Sequence, residues 1–168
     1  MAECLLLIDV QKGFISDNTE YVIPRIKTLI ESRRFKHIVC TRFINYPDSP
    51  YVKYIGWRKF MADSDDTTIE QTVSDASERV FVKRTYSALT DEFLQYIRDN
   101  RIEKVYIAGI DTDCCVMMTA EDLFSHDIPF EVLTYYSASN GGTENHEAAL
   151  RIMRRLVGPG NINTEPLQ

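Results

Sequence analysis

A chain of 168 residues with 44% hydrophobic side chains matches the size of one ordinary domain with one sizeable core, so a single domain over residues 1–168 is expected. The formal net charge of −6 comes with no basic run, which argues against nucleic acid or an anionic membrane as partner and favours a small-molecule ligand. In MAECLLLIDVQKGF the apolar run is short, preceded by Glu3 and interrupted by Asp9, which fits neither a secretory signal nor a spanning helix; four cysteines in a chain this long do not make a disulfide framework, so free thiols in the cytoplasm are expected.

In chain order, CLLLIDV (4–10) reads as a buried strand, YVIPRIKTLIES (21–32) as a helix with Pro24 in its first turns, and HIVCTRF (37–43) as a second strand. Residues 44–78 hold Pro47, Pro50, Gly56 and the aromatic, basic stretch YVKYIGWRKFM, and read as the longest irregular region. A loop of that length in a compact domain is more often functional than idle. RVFVK (79–83) is the third strand, DEFLQYIRDN (91–100) a helix, KVYIAGI (104–110) the fourth strand, 112–125 a helix, FEVLTYY (130–136) the fifth strand and 143–157 the last helix, with a short sixth strand near 161–164. This alternation predicts an α/β fold of three layers, α/β/α, around a Rossmann-like parallel sheet of five to six strands.

Ligands of open α/β sheets bind at the carboxyl ends of the strands, which selects Asp9, Lys83 and the turn at 109–115. A carboxylate, an ammonium and a thiol, far apart in sequence, would meet there if their strands lie together, as a nucleophile and its base are usually assembled. Singly, Asp9 reads as a turn residue, Lys83 as a surface lysine and Cys115 as a small buried hydrophobe; the combination points to catalysis. A thiol is mostly protonated at neutral pH, so its proton must be removed or its pKa lowered. Thr112 or Asp113 as N-cap would put Cys115 in the first turn of a helix, where dipole and free amides favour an anion, and Lys83 adds positive charge. Asp9 would take the thiol proton and return it to the departing nitrogen. The Cys115 amide is the first candidate donor to the oxyanion.

These residues resemble the isochorismatase-like cysteine hydrolases, a family that includes nicotinamidases and amide- and carbamoyl-cleaving enzymes. Asp9, Gln11 and Phe14 are similar to its opening Asp-x-Gln-x-x-Phe, and Lys83 followed by Ser87 and Ala88 to its lysine strand. The most specific block is AGIDTDCCVMMTAEDLF, where Gly109, Thr112, Asp113, Cys115, Val116, Thr119 and Ala120 match its Gly-x-x-Thr-Asp-x-Cys-Val-x-x-Thr-Ala and select Cys115, rather than Cys114, as nucleophile. The resemblance implies Asp9, Lys83 and Cys115 as a catalytic triad, and a cis peptide between Ile110 and Asp111 with the Asp111 amide as second oxyanion donor.

The chain departs from that family at Asp111, where a small residue is usual; its carboxylate should turn away from the oxyanion or contact another group. Nicotinamidases carry an Asp-x-His and further histidines after the second strand as a metal site, but those first two positions here are Phe43 and Asn45, and His37, His126 and His146 are scattered, so neither metal nor cofactor is expected. Gln11, Phe14, Trp57 and Tyr86 are candidate pocket residues, and Arg42, Arg58 and Arg84 candidates for a substrate carboxylate. The implied activity is hydrolysis of a small amide or carbamoyl C–N bond through a thioester; the alternatives are a catalytically silent binding or scaffold protein and an isochorismate-type vinyl-ether hydrolase. The exposed aromatic stretch and the family's habit of associating imply a homodimer or larger homo-oligomer.

Overall fold

The computed structural model describes residues 2–167. Six strands, β1 (Glu3–Ile8), β2 (His37–Phe43), β3 (Arg79–Lys83), β4 (Lys104–Ile110), β5 (Phe130–Ala138) and β6 (Ile162–Asn163), form one sheet in the order β3-β2-β1-β4-β5-β6. Every pairing is parallel. The chain starts in the middle of the sheet, winds to the β3 edge, crosses back and winds to the β6 edge. The crevice where the direction reverses lies between the carboxyl ends of β1 and β4.

Buried parallel strands must be apolar on both faces, and β1 is: Cys4, Leu6 and Ile8 lie in one core cluster, Leu5 and Leu7 in the other. The first cluster is completed by Phe93 and Ile97 of α4 (Asp91–Asp99), Ala120 and Leu123 of α5 (Met117–Ser125), and Leu150 and Met153 of α6 (Gly142–Leu156). The second takes Val22, Ile26 and Leu29 of α1 (Val22–Glu31) and Val73 of α3 (Gln71–Ala76). Three layers, α/β/α, result. Among the described residues no helix is long and apolar enough to cross a membrane.

Three local expectations are revised. The first strand stops at Ile8, because Asp9 adopts φ 49° and turns the chain out of the sheet. The fifth strand runs two residues further than expected, to Ala138. Residues 44–78 are far from structureless: they contain α2 (Pro50–Ile55), a 3-10 turn at Asp65–Thr67, and α3. Ser49 accepts from the Val52 amide, Pro50 occupies the first turn and Gly56 ends α2 in the left-handed region, so the start and stop signals were present in a helix too short to show periodicity.

Candidate active site

The turn after β1 exposes Asp9 to two neighbours. Its amide donates to Thr41 Oγ1 (3.0 Å), and that hydroxyl donates to Asp9 Oδ1 (2.6 Å), which leaves Oδ2 to face Lys83 Nζ at 2.7 Å. Lys83 ends β3, so β2 lies between it and β1; the lysine reaches its partner by passing over the Phe43 ring, 5.2 Å from the centroid. Its ammonium also donates to the carbonyls of Thr85 (2.8 Å) and Tyr86 (2.9 Å) and to Cys115 Sγ (3.5 Å). The three predicted catalytic side chains therefore meet, with Asp9 0%, Lys83 2% and Cys115 6% exposed.

Cys115 lies in a π-helical turn, Thr112–Val116, that leads into α5. Neither Thr112 nor Asp113 caps the helix as expected. Asp111 stands at the cap position, and its carbonyl accepts from the amides of Cys114 and Val116, both at 3.1 Å. Thr112 instead shares a 2.8 Å hydrogen bond with His146, and Asp113 accepts from Ser139 and Asn145. The Ile110–Asp111 peptide is cis, as the resemblance implied. The Asp111 amide has no acceptor among the described residues, and the Cys115 amide none outside its own turn. β4 approaches β1 so closely here that a Cβ on Gly109, at φ 134°, would lie 2.1 Å from the Ile8 carbonyl oxygen; only glycine fits.

Electrostatically the thiol differs from the expectation. Burial and the negative charge of Asp9 push its pKa well above the usual thiol value and outweigh Lys83, which pulls the other way. The resting group is S–H beside a carboxylate, not a preformed thiolate. Burial alone would lower the Lys83 pKa, but Asp9 and Cys115 raise it overall, so the lysine stays an ammonium.

Above the sulfur lies a cavity of about 320 Å³ lined by Phe14, Phe43, Tyr51, Trp57, Phe60 and Tyr86, with Lys59, Asp111, Cys114 and Asn140 among its polar residues. Phe14 stacks on Phe60 (ring centroids 4.0 Å apart) and Tyr51 meets Tyr86 edge-on (5.1 Å). Phe14, Trp57 and Tyr86 are thus where the sequence placed them, whereas Gln11 is not a pocket residue. Its side-chain oxygen accepts from the Phe43 amide and its nitrogen donates to the carbonyls of Phe43 and Thr67, so the whole amide pins the loop to β2. None of Arg42, Arg58 and Arg84 lines the cavity; Arg42 is bonded to Thr67. Thr41, Asn140 and the rings of Phe43, Tyr51 and Phe60 were missed. The only signal for Thr41 was a hydroxyl near the carboxyl end of β2.

A metal of the nicotinamidase kind does not fit these residues. His37 is bonded to Glu78, His126 to the Asp122 carbonyl and His146 to Thr112, and none of them lines the cavity. Asn45 uses its amide nitrogen on the Trp57 and Lys59 carbonyls. Asp111, Asp113 and Cys114 do converge, but Asn140, Ser139 and Asn145 already donate to those carboxylates. No catalytic step is routed through a metal.

Comparison with solved structures returns the same fold at low identity. An isochorismatase-like hydrolase from Alkaliphilus metalliredigens superposes with a TM-score of 0.84 at 18% identity, covering 96% of this chain and 94% of its own. The pyrazinamidase of Pyrococcus horikoshii, solved in complex with zinc, gives 0.81 at 20% identity (99% and 100%), and N-carbamoylsarcosine amidase from Thermoplasma acidophilum gives 0.78 at 23% (91% and 93%). No curated protein sequence matches the chain. The family model described as the isochorismatase domain matches residues 3–161. On that match, over nearly its whole length, the chain belongs to the isochorismatase family.

Proposed function

We propose that this chain is a cysteine-dependent hydrolase of a small non-peptide C–N bond, an amide or carbamoyl group, with Cys115 as nucleophile, Asp9 as general base and acid, and Lys83 as the cation that holds them. The observation that carries this reading is the buried Asp9–Lys83 pair at 2.7 Å, with the Cys115 sulfur 3.5 Å from the same ammonium, under an open aromatic cavity. Asp9 takes the thiol proton as sulfur attacks the carbonyl carbon; the oxyanion is received by the amides of Asp111 and Cys115. The C–N bond breaks as Asp9 returns the proton to the leaving nitrogen. Water, deprotonated by Asp9, then cleaves the thioester and frees the thiol. Lys83 stays charged throughout and offsets the negative charge that develops on sulfur.

The similar structures of an N-carbamoylsarcosine amidase and a pyrazinamidase support a C–N hydrolase, and the engagement of His37, His126, His146 and Asn45 away from the cavity supports a metal-independent one. The test is ammonia release from a panel of small amides, ureas and maleamate-like acids by wild type and Cys115→Ala. Hydrolysis lost in the variant is the expected result; equal activity in both leaves only a binding role. Ile55, which lines the cavity and is 63% exposed, and Tyr54 (83%) next to it in sequence support the expected self-association, which light scattering at micromolar concentration checks.

A further inference from the structure

A second cavity, of about 210 Å³, lies away from Cys115 at the β6 edge of the sheet. β6 pairs only with Val132 and Leu133, so the later residues of β5 have no strand on their outer side. The notch this leaves is walled by α1 and α6, which pack on opposite faces of the sheet. Arg25 comes from α1, with Tyr21 just before it, and Tyr135 from β5. His146 and Arg154 share the i, i+4 row of α6 that runs through Leu150, and Glu147 stands next to His146.

Arg25 is held rigidly. Its guanidinium carbon lies 4.1 Å from the Tyr135 ring centroid and 4.8 Å from that of Tyr21, and Nη1 donates to the Tyr135 carbonyl (3.0 Å). Most of its N–H donors are left over, and among the described residues no carboxylate pairs with Arg25 or Arg154. Glu147 is the one carboxylate of the lining, exposed and bonded to neither arginine, so two arginines against one glutamate leave the notch net positive. His146 turns Nδ1 to the Thr112 hydroxyl (2.8 Å), and its Nε2 has no hydrogen bond among the described residues. Burial, opposed by Glu147 and Asp113 and aided by Arg25, holds the imidazole below the usual histidine range, so it is neutral at pH 7 and carries one N–H.

We propose that this notch binds a small phosphate-bearing anion through Arg25, Arg154 and His146, and that the bound anion acts on the Cys115 turn through the His146–Thr112 hydrogen bond. A guanidinium fork matches two phosphate oxygens, and one already immobilised by rings loses little freedom on binding. Thr112 is wholly buried, follows Asp111 directly and opens the π-helical turn that carries Cys115. An anion accepting from Nε2 places the imidazole proton there and leaves Nδ1 to accept from the Thr112 hydroxyl. One of the two senses of that bond is thereby selected, and the turn is held more firmly.

The experiment is calorimetric titration of the whole chain with inorganic phosphate and with glycerol phosphate at constant ionic strength. Saturable binding is expected; a preference for glycerol phosphate marks the ligand as an ester, and a preference for phosphate marks it as the free ion. Arg25→Gln and Arg154→Gln should each weaken binding about tenfold, and Glu147→Gln should strengthen it. Arg154 is exposed, so its variant tests the site without disturbing the packing around Arg25. A second arm follows alkylation of Cys115 by iodoacetamide. Saturating phosphate is expected to slow it about twofold to tenfold, and Thr112→Val, which leaves the notch intact, should still bind phosphate but lose the slowing. No saturable binding, or binding that both arginine variants leave unchanged, overturns the site, and an alkylation rate that phosphate does not alter overturns the coupling. Neither readout needs a cleavable substrate, so failure here is distinguishable from failure of the hydrolase reading.

Discussion

Both ends of the parallel sheet hold a buried cysteine among ionisable side chains. At the amino end Cys4 of β1 is the strand partner of His37, whose Nδ1 lies 2.8 Å from Glu78 and 3.0 Å from the Tyr96 hydroxyl. At the carboxyl end Cys115 faces Asp9 and Lys83. Burial raises both thiols, Cys4 to about 12 with help from Glu78. The difference is that the carboxyl end has an ammonium held against the thiol and a cavity above it, while Cys4 is wholly enclosed. Cysteine, histidine and carboxylate together do not make a site; access and a compensating charge do.

That contrast is sharpest in activity. Cys115→Ala is expected to lower kcat/KM for any cleaved amide or urea by at least about a thousandfold, and Cys4→Ala to change it less than about twofold. Steady-state ammonia release measures both, and a comparable loss from Cys4→Ala would erase the distinction.

Asp9→Asn removes the base and should cost about 10²–10⁴ in kcat. It also leaves the Lys83 ammonium buried without its partner, and denaturant unfolding should show a loss of about 3–5 kcal/mol. A variant as stable as wild type would mean the pair is less dry than its 0% side-chain exposure implies.

Asp111→Asn acts in the opposite direction. The folded-state carboxyl pKa is raised to about 6 from an ordinary 3.8, so the folded chain binds the proton more tightly than the unfolded one, and stability falls as pH rises from about 4 to about 6. Asparagine lacks that penalty. The variant is expected to be more stable by about 1–3 kcal/mol at neutral pH, with the gap closing near pH 4 in parallel thermal melts. The smallest effect belongs to Trp57→Ala, which should raise KM about twofold to tenfold with little change in kcat, since the ring contributes binding and no chemistry.

The strands and their order of chemistry were legible because buried parallel strands are continuous apolar runs, and because residues at or just past the carboxyl ends of the strands border the crevice. Asp9, Lys83 and Cys115 follow from that rule. The two short helices of 44–78 were not legible, since six residues cannot display a 3.6 period. Gln11 was misread because a motif position says that a residue is needed, not whether it serves ligand or loop; its amide serves the loop. Asn140 could not be found, because its role depends on a turn after β5 meeting both Asp111 and Phe14 in space. The direction of the thiol shift was also hidden, since burial and the Asp9 charge outweigh Lys83 only once the coordinates are known.

The central claim is tested most directly by alkylating the native protein with iodoacetamide at neutral pH and mapping the label among Cys4, Cys40, Cys114 and Cys115 while activity is followed. Labelling of Cys115 in step with inactivation is the predicted result. Inactivation with the label on any other cysteine, or full activity with Cys115 modified, would contradict it.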